Sequence, residues 1–422
     1  MNRKVFASLA VVAVLLVTAV AIPQPAEATG GTDVLYDPGN GATQWTQGDG
    51  ATVGDVLRDA MIGLGIDLTV EAGNIAVDGV TSTTIGSSDT GGTLTESGST
   101  GVTVTSEWHA FVWDGDSWNE ADPGDASDGS PLAIGFYPEG IAPVVTPDEP
   151  YAVTMSRVDS ANTGSQSATY SSNQGYEVTW TDSGTAHATP AGGYIFQKYG
   201  IDSSGNARLV CIDADTGEHV WEFSFMSGSN YESSTPLIVG DYIYMATMTG
   251  YIYRIPLHEG PGEDNADVTS IGGVPFGEAT PVDSFITDFE VGTTYDAGFS
   301  SMVFDSGAIY VTHSNGMVYC FDTDLNLIWS QMLEGSTYLV APTVYDGYVF
   351  VGALNGHIYI LDAAKGGILA DQMVAQYRYQ SKLYGGVGQV AVQPTGNGTY
   401  DLFFTFSDGL GMSQLNCGVA VY

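Results

Sequence analysis

The chain has 422 residues, enough for two or three domains, and carries 10 basic against 49 acidic residues, a formal net charge of −39. A field of that sign repels nucleic acid and anionic lipid, which excludes both as expected partners. Gly (55) and Tyr (24) are abundant, only 14% of residues are charged, and short alternating runs recur, a composition that predicts a mainly β protein.

In chain order, Arg3 and Lys4 precede an apolar run from Phe6 to Ile22, and Ala26-Glu-Ala28 offers small residues to a signal peptidase. Residues 1–28 therefore read as an export signal. The expected product is secreted or held at the cell surface, and it meets the membrane only through this segment if the segment stays uncleaved. Residues 29–148 read as a small α+β domain. Its helix runs from Thr52 to Leu64, with Thr52 as N-cap, Asp55 at the capping-box position, and Val53, Val56, Leu57, Ala60, Met61 and Leu64 as one apolar stripe. Strand-like pieces stand at Ile75–Val80, Val102–Val104, His109–Trp113 and Leu132–Tyr137. The Ser-, Thr- and Gly-rich stretch from Thr81 to Gly101 reads as a loop or hairpin. Pro138 to Pro150 reads as the exit from this domain, and 149–174 as a linker.

From residue 175 to 422 the chain repeats. Each unit has a small residue and often Pro, an apolar strand, a turn and an aromatic strand. The copies are Ala188 to Phe196, Ser234 to Tyr244, Ser300 to Tyr310 and Ala341 to Phe350. A third strand follows each, at Arg208–Asp213, Gly250–Ile255, Gly316–Asp322 and Gly356–Asp362. A fourth is evident in the first and third copies, ending at Trp221 and Trp329. The second copy carries an insertion, Leu257 to Asp283, ahead of its expected outer strand. Four strands in about 40–45 residues is the arithmetic of a propeller blade. A last unit, Gln389–Val392, Asp401–Phe406 and Gly418–Tyr422, has three strands. The segment Tyr176 to Trp180 has the pattern of a fourth strand without a blade, so it is expected to complete the last blade and close a ring of about five.

Asp213-Ala-Asp-Thr-Gly-Glu-His-Val-Trp221 resembles the Asp-x-x-Thr-Gly-x-x-x-Trp signature of pyrroloquinoline-quinone-like (PQQ-like) propeller repeats. Asp322 to Trp329 matches in part, and Asp362-Ala-Ala-Lys-Gly-Gly keeps the turn without the Trp. The first domain, through its Thr52–Ala60 helix and Phe111-Val-Trp-Asp-Gly-Asp-Ser-Trp118, resembles transcobalamin-like β-grasp modules. The propeller resemblance implies architecture more than activity. Quinone dehydrogenases of that family have eight blades, a calcium ion and often a vicinal Cys pair. Here Cys211, Cys320 and Cys417 are far apart, read as small hydrophobes in or beside buried strands, and few basic residues remain to hold a tricarboxylate.

No catalytic residues are assigned. Asp213 and Asp215, and Asp322 and Asp324, stand at alternate positions in turns, a pattern open to calcium but equally to carboxylates that accept backbone N–H bonds. A ring of aromatic residues precedes the first strands: Tyr231, Tyr295, Tyr338 and Tyr384, with His187 in the first copy. Around one mouth of a propeller these would form a ligand or partner site, helped by His313, Arg378 and Lys382. Two classes of function stay open. One is an extracellular binding or scaffold protein for a protein or glycan at the cell envelope, with no cofactor beyond a calcium ion in those turns. The other is a divergent quinone-dependent oxidoreductase or other propeller enzyme.

Overall fold

The computed structural model describes residues 31–71, 73–86, 97–99, 101–148, 161, 188–200, 206–226, 234–247, 250–262, 265–272, 298–337, 340–374, 377–379, 382–384, 386–395, 399–407 and 417–421. The expected export signal, residues 1–28, and the strand expected from Tyr176 to Trp180 lie outside these residues. Among the described residues, no helix is long and apolar enough to cross a membrane.

The first region contains β1 (Thr32–Asp37), β2 (Gln44–Gly48), α1 (Val53–Leu64), β3 (Leu68–Glu71), β4 (Asn74–Val77), β5 (Ser82–Gly86), β6 (Ser97–Ser99), β7 (Thr103–Trp113), β8 (Trp118–Glu120) and β9 (Leu132–Tyr137). Helix α1 starts where its cap predicts, with the Thr52 hydroxyl accepting the Asp55 N–H at 3.2 Å. Its sheet runs β2-β1-β9-β7-β5, with β8 also on β7; β1 and β9 are parallel and the other pairs antiparallel. All six residues of β9 are buried, so both faces of the sheet centre are covered. Leu132 and Ile134 point to Val56, Leu57 and Met61 of α1, while Ala133 and Tyr137 belong to cores shared with the repeats. The stretch Thr81–Gly101, expected as a loop or hairpin, contributes two strands to two different sheets. β5 pairs with β7, and β6 leaves its own domain.

The repeats form consecutive antiparallel sheets. Blade I is β10 (Thr189–Ala191), β11 (Tyr194–Tyr199), β12 (Asn206–Asp213) and β13 (His219–Met226). Blade II is β14 (Leu237–Val239), β15 (Tyr242–Ala246), β16 (Tyr251–Pro256) and β17 (Thr269–Gly272). Blade III is β18 (Val303–Asp305), β19 (Ala308–Thr312), β20 (Met317–Phe321) and β21 (Leu327–Met332). Blade IV is β22 (Thr343–Tyr345), β23 (Tyr348–Gly352), β24 (His357–Asp362) and β25 (Ile368–Met373). A separate hairpin, β26 (Tyr377–Tyr379) and β27 (Lys382–Tyr384), precedes blade V, which among the described residues has three strands: β28 (Gly386–Pro394), β29 (Tyr400–Ser407) and β30 (Cys417–Val421). The outer strand of blade II lies inside the expected insertion, not after it, because Thr269–Gly272 pairs directly with β16. Blade IV also has a fourth strand, β25, which the missing Trp had hidden from the repeat pattern.

Neighbouring blades are joined near their inner strands by small hydroxyls. Thr189 donates to the Pro236 carbonyl at 3.0 Å, the Thr235 N–H donates to Ser301 Oγ at 2.9 Å, Thr312 donates to the Val340 carbonyl and Thr343 to the Val390 carbonyl. The order in space is therefore I, II, III, IV, V. On the outer rim, tryptophans lock successive blades. Trp329 of blade III donates Nε1–H to the Ala363 carbonyl at 2.9 Å and covers Gly366, while Trp221 of blade I covers Gly260. Both glycines have positive φ, and a Cβ on either would enter the indole ring, so the Gly of the turn and the Trp of the preceding blade form one device. Between II and III an Arg takes this place. Arg254 reaches the Thr323 carbonyl and Asp324 and lies over the Tyr242 ring.

Candidate functional site

Strand alternation gives each blade two ends. Turns between first and second, and third and fourth, strands lie at one end; the second-to-third turns and the connections to the next blade lie at the other. Apart from the pairing of β6, the contacts between the first domain and the repeats fall at or near the first end. Gly307 in the β18–β19 turn abuts Ser106 and Pro138, Gly240 in the β14–β15 turn packs on Ile141, and the Gly86 N–H donates to the Ala364 carbonyl in the β24–β25 turn at 2.8 Å. Tyr137 stacks on Phe304 at 6.2 Å and 19°. The domain also adds a strand to the rim, as β6 pairs antiparallel with β21, Gly98 opposite Ser330. Residues 138–145, expected as an exit, are part of this interface: Val145 is buried and accepts the Trp118 Nε1–H at 2.8 Å.

The aromatic ring was expected at the opposite end. His187, Tyr231, Tyr295 and Tyr338 lie outside the described residues. Tyr384, Arg378 and Lys382 are brought onto one hairpin, β26–β27, where Arg378 pairs with Leu383 and Tyr379 with Lys382. His313 is buried against the Phe299 ring at 4.8 Å, and its Nδ1 accepts the Asn315 N–H at 3.3 Å, so it shapes the turn into β20.

The acidic turns use their carboxylates on their own backbones. Asp213 Oδ1 accepts the N–H groups of Asp215 and Thr216 and the Thr216 hydroxyl, and these bonds, the Thr216 amide foremost, hold its carboxyl below the ordinary value. Asp322 Oδ1 accepts the N–H groups of Asp324 and Asn326, and Asp324 turns to Arg254 across the blade junction. Among the described residues, no group of three or more His, Cys, Asp or Glu has the arrangement of a metal site. Cys211 and Cys320 are buried free thiols; burial pushes Cys211 up to about 12 and Cys320 well above its ordinary value, so both stay protonated hydrophobes.

Two buried polar centres were not anticipated. Lys198 is fully buried between blades I and II, donating Nζ–H to Ser234 Oγ and to the Ala246 carbonyl at 2.9 Å. It stands two residues after buried Phe196, so strand alternation alone places it on the inner face. The other centre is Asp37, at the end of β1. It accepts the Tyr137 O–H at 2.7 Å and the Gly39 N–H at 3.0 Å. Burial pushes its carboxyl above the ordinary value, against the lowering effect of those two bonds. Asp37 lines a cavity at the junction with blades II and III, together with Thr43, Val144, Ile238 and Phe304. The cavity measures about 20 Å³, which is room for about one water and not for an organic substrate.

Residues 154–261 and 284–376 match the PQQ-like repeat family described as outer membrane protein assembly factor BamB. The repeats of this chain are PQQ-like propeller repeats. A curated relative, the outer membrane protein assembly factor BamB of Yersinia pestis, is 22% identical over 183 residues. That alignment covers 41% of this chain and 39% of the relative, so the chain spans about two fifths of its length. Among solved structures, BamB from Moraxella catarrhalis aligns at 15% identity over 76% of this chain and 78% of that one, with a TM-score of 0.35. A europium-containing methanol dehydrogenase aligns at 12% identity over 56% of each chain, with a TM-score of 0.36. Neither superposition bears on activity.

Proposed function

We propose that this PQQ-like repeat protein is an extracytoplasmic, non-catalytic scaffold that binds a protein partner at the cell envelope through the propeller end remote from its first domain. The observation that carries this reading is the one-sided docking of that domain. Its described contacts use the turn end and the rim of blade III, leaving the other end, where the aromatic ring is expected, for a partner. Two further features support it. The Thr189, Ser301, Thr312 and Thr343 hydroxyls join neighbouring blades, the Asp213 and Asp322 carboxylates shape their own turns, and the matching family is described as an assembly factor. The N-terminal export pattern supports the location.

The test is a double substitution, Tyr231→Ala with Tyr338→Ala, assayed by capture of envelope proteins on the purified chain. Interface tyrosines are common hot spots, so partner retention falls by at least about tenfold, while the melting temperature stays within about 2 °C. Unchanged capture, or a large drop in melting temperature, would contradict the reading.

A further inference from the structure

The outer strands of blades I, III and IV are equivalent residue by residue. Each carries a bulge at the same place, between Cys211 and Ile212, Cys320 and Phe321, and Ile360 and Leu361 on the third strand. The register then aligns Trp221, Trp329 and Ala370, and places Val220, Ile328 and Leu369 at the bulge. In blade III this outer strand is covered in cis: β6 pairs with the edge of β21, Ile328 meets Gly86 and is 0% exposed, and Trp329 fills the junction with blade IV. In blade IV none of these covers is present among the described residues. The tryptophan is replaced by Ala370, the bulge residue Leu369 is 56% exposed, and Ile368 and Met373 are 41% and 42% exposed. All six residues of β25 are exposed, whereas Phe223 and Phe225 of β13, and Ile328 to Ser330 of β21, are buried.

A strand with a bare edge and exposed apolar side chains is an acceptor for another strand; on one face of β25 Ile368 and Met373 flank Asp371, which pairs with His357, and on the other Ala370 stands beside Gln372. We propose that β25 is a second, specific docking strand, which takes an extended segment of a partner protein edge to edge, as β21 takes β6, with an aromatic side chain seated over Ala370. The proposal rests on the scaffold reading and names a site for it. Charge decides the occupant. With 49 acidic against 10 basic residues, this surface favours a segment bearing Lys or Arg between its apolar residues, and a second copy of the chain would bring like charge.

The probe is a fluorescein-labelled synthetic peptide, Lys-Val-Lys-Trp-Lys-Val-Thr-Lys, titrated against the purified chain by anisotropy. The chain binds it. Ala370→Trp, which supplies the missing indole from within, and Leu369→Lys, which repels the peptide, each weaken binding by at least about tenfold. Val220→Lys, at the equivalent position of blade I, leaves it unchanged. A peptide with proline at both valines binds at least about tenfold more weakly, because edge pairing needs backbone N–H groups. The proposal is overturned if the unmodified chain does not bind the peptide below about 1 mM, if both β25 variants bind as tightly as the parent, or if the proline peptide binds equally well. It is also overturned if the chain dimerises through β25 and Ala370→Trp abolishes the dimer. Peptide binding lost in the β25 variants, with envelope capture unaffected by the tyrosine substitutions, would sustain this strand and sink the remote-end reading; the converse pattern would do the opposite.

Discussion

Single side chains fix how the first domain sits on the propeller. Asp37 and Tyr137 come from strands 100 residues apart, and no local pattern links them, so this pair was invisible in the sequence although the strand around Tyr137 was not. The Asp37 carboxyl is raised in the folded state by burial, so its protonated form is favoured there. Its contribution to stability is thus fully present in acid and is lost as pH rises through the raised value. Asp37→Asn keeps an acceptor for Tyr137 and Gly39 but cannot ionise. Thermal unfolding from pH 4 to 8 is expected to show the variant gaining on the parent as pH rises. Tyr137→Phe should lower stability by about 1–3 kcal/mol near neutral pH, because it leaves a buried acceptor one donor short. An unchanged difference between parent and Asp37→Asn across that range would contradict the burial argument. Lys198 was closer to legible, since its alternation with Phe196 points it inward. Its role as a clasp between blades needed the Ser234 and Ala246 positions.

At the level of elements, legibility followed side-chain pattern. The α1 helix was readable because Thr52 caps it and one stripe is apolar; the Asp213–Trp221 unit was readable because turn chemistry and an indole mark it. β6 was not, because Ser-Gly-Ser carries no apolar alternation. β17 was lost inside a long insertion, and β25 lacked its tryptophan. The Trp–Gly device also predicts a sharp contrast between adjacent residues. Gly366 has φ of +77°, and an added Cβ would lie 2.5 Å from the Trp329 ring, whereas Gly367 has nothing within 4 Å. Gly366→Ala should cost about 1–3 kcal/mol, several degrees in melting temperature, and Gly367→Ala much less. Equal effects in calorimetry would show that the indole does not lock blades III and IV.

The described blades form one stack, with the first domain docked on the turn end and on the rim of blade III. Composition and repeat spacing were enough to read the blades and the small α+β domain. They could not show that the domain docks, because Ile85, Val104 and Tyr137 look like residues of a private core until they are found packed with Val303, Phe304 and Ile309. The net charge of −39 adds a global term. Self-repulsion is long-ranged at low ionic strength, with a Debye length near 30 Å at about 0.01 M, and is confined to about 3 Å at 1 M. The melting temperature is therefore expected to rise steadily from dilute buffer to about 1 M sodium chloride, and a flat profile would mean that local ion pairs offset the repulsion. Which end meets the partner is measured most directly by hydrogen–deuterium exchange of the chain with and without its captured envelope protein. Protection should appear in the connections 227–233 and 338–339, with none added at Gly39–Thr43 or at the β18–β19 turn; protection confined to that turn and the first domain would contradict the remote-end reading.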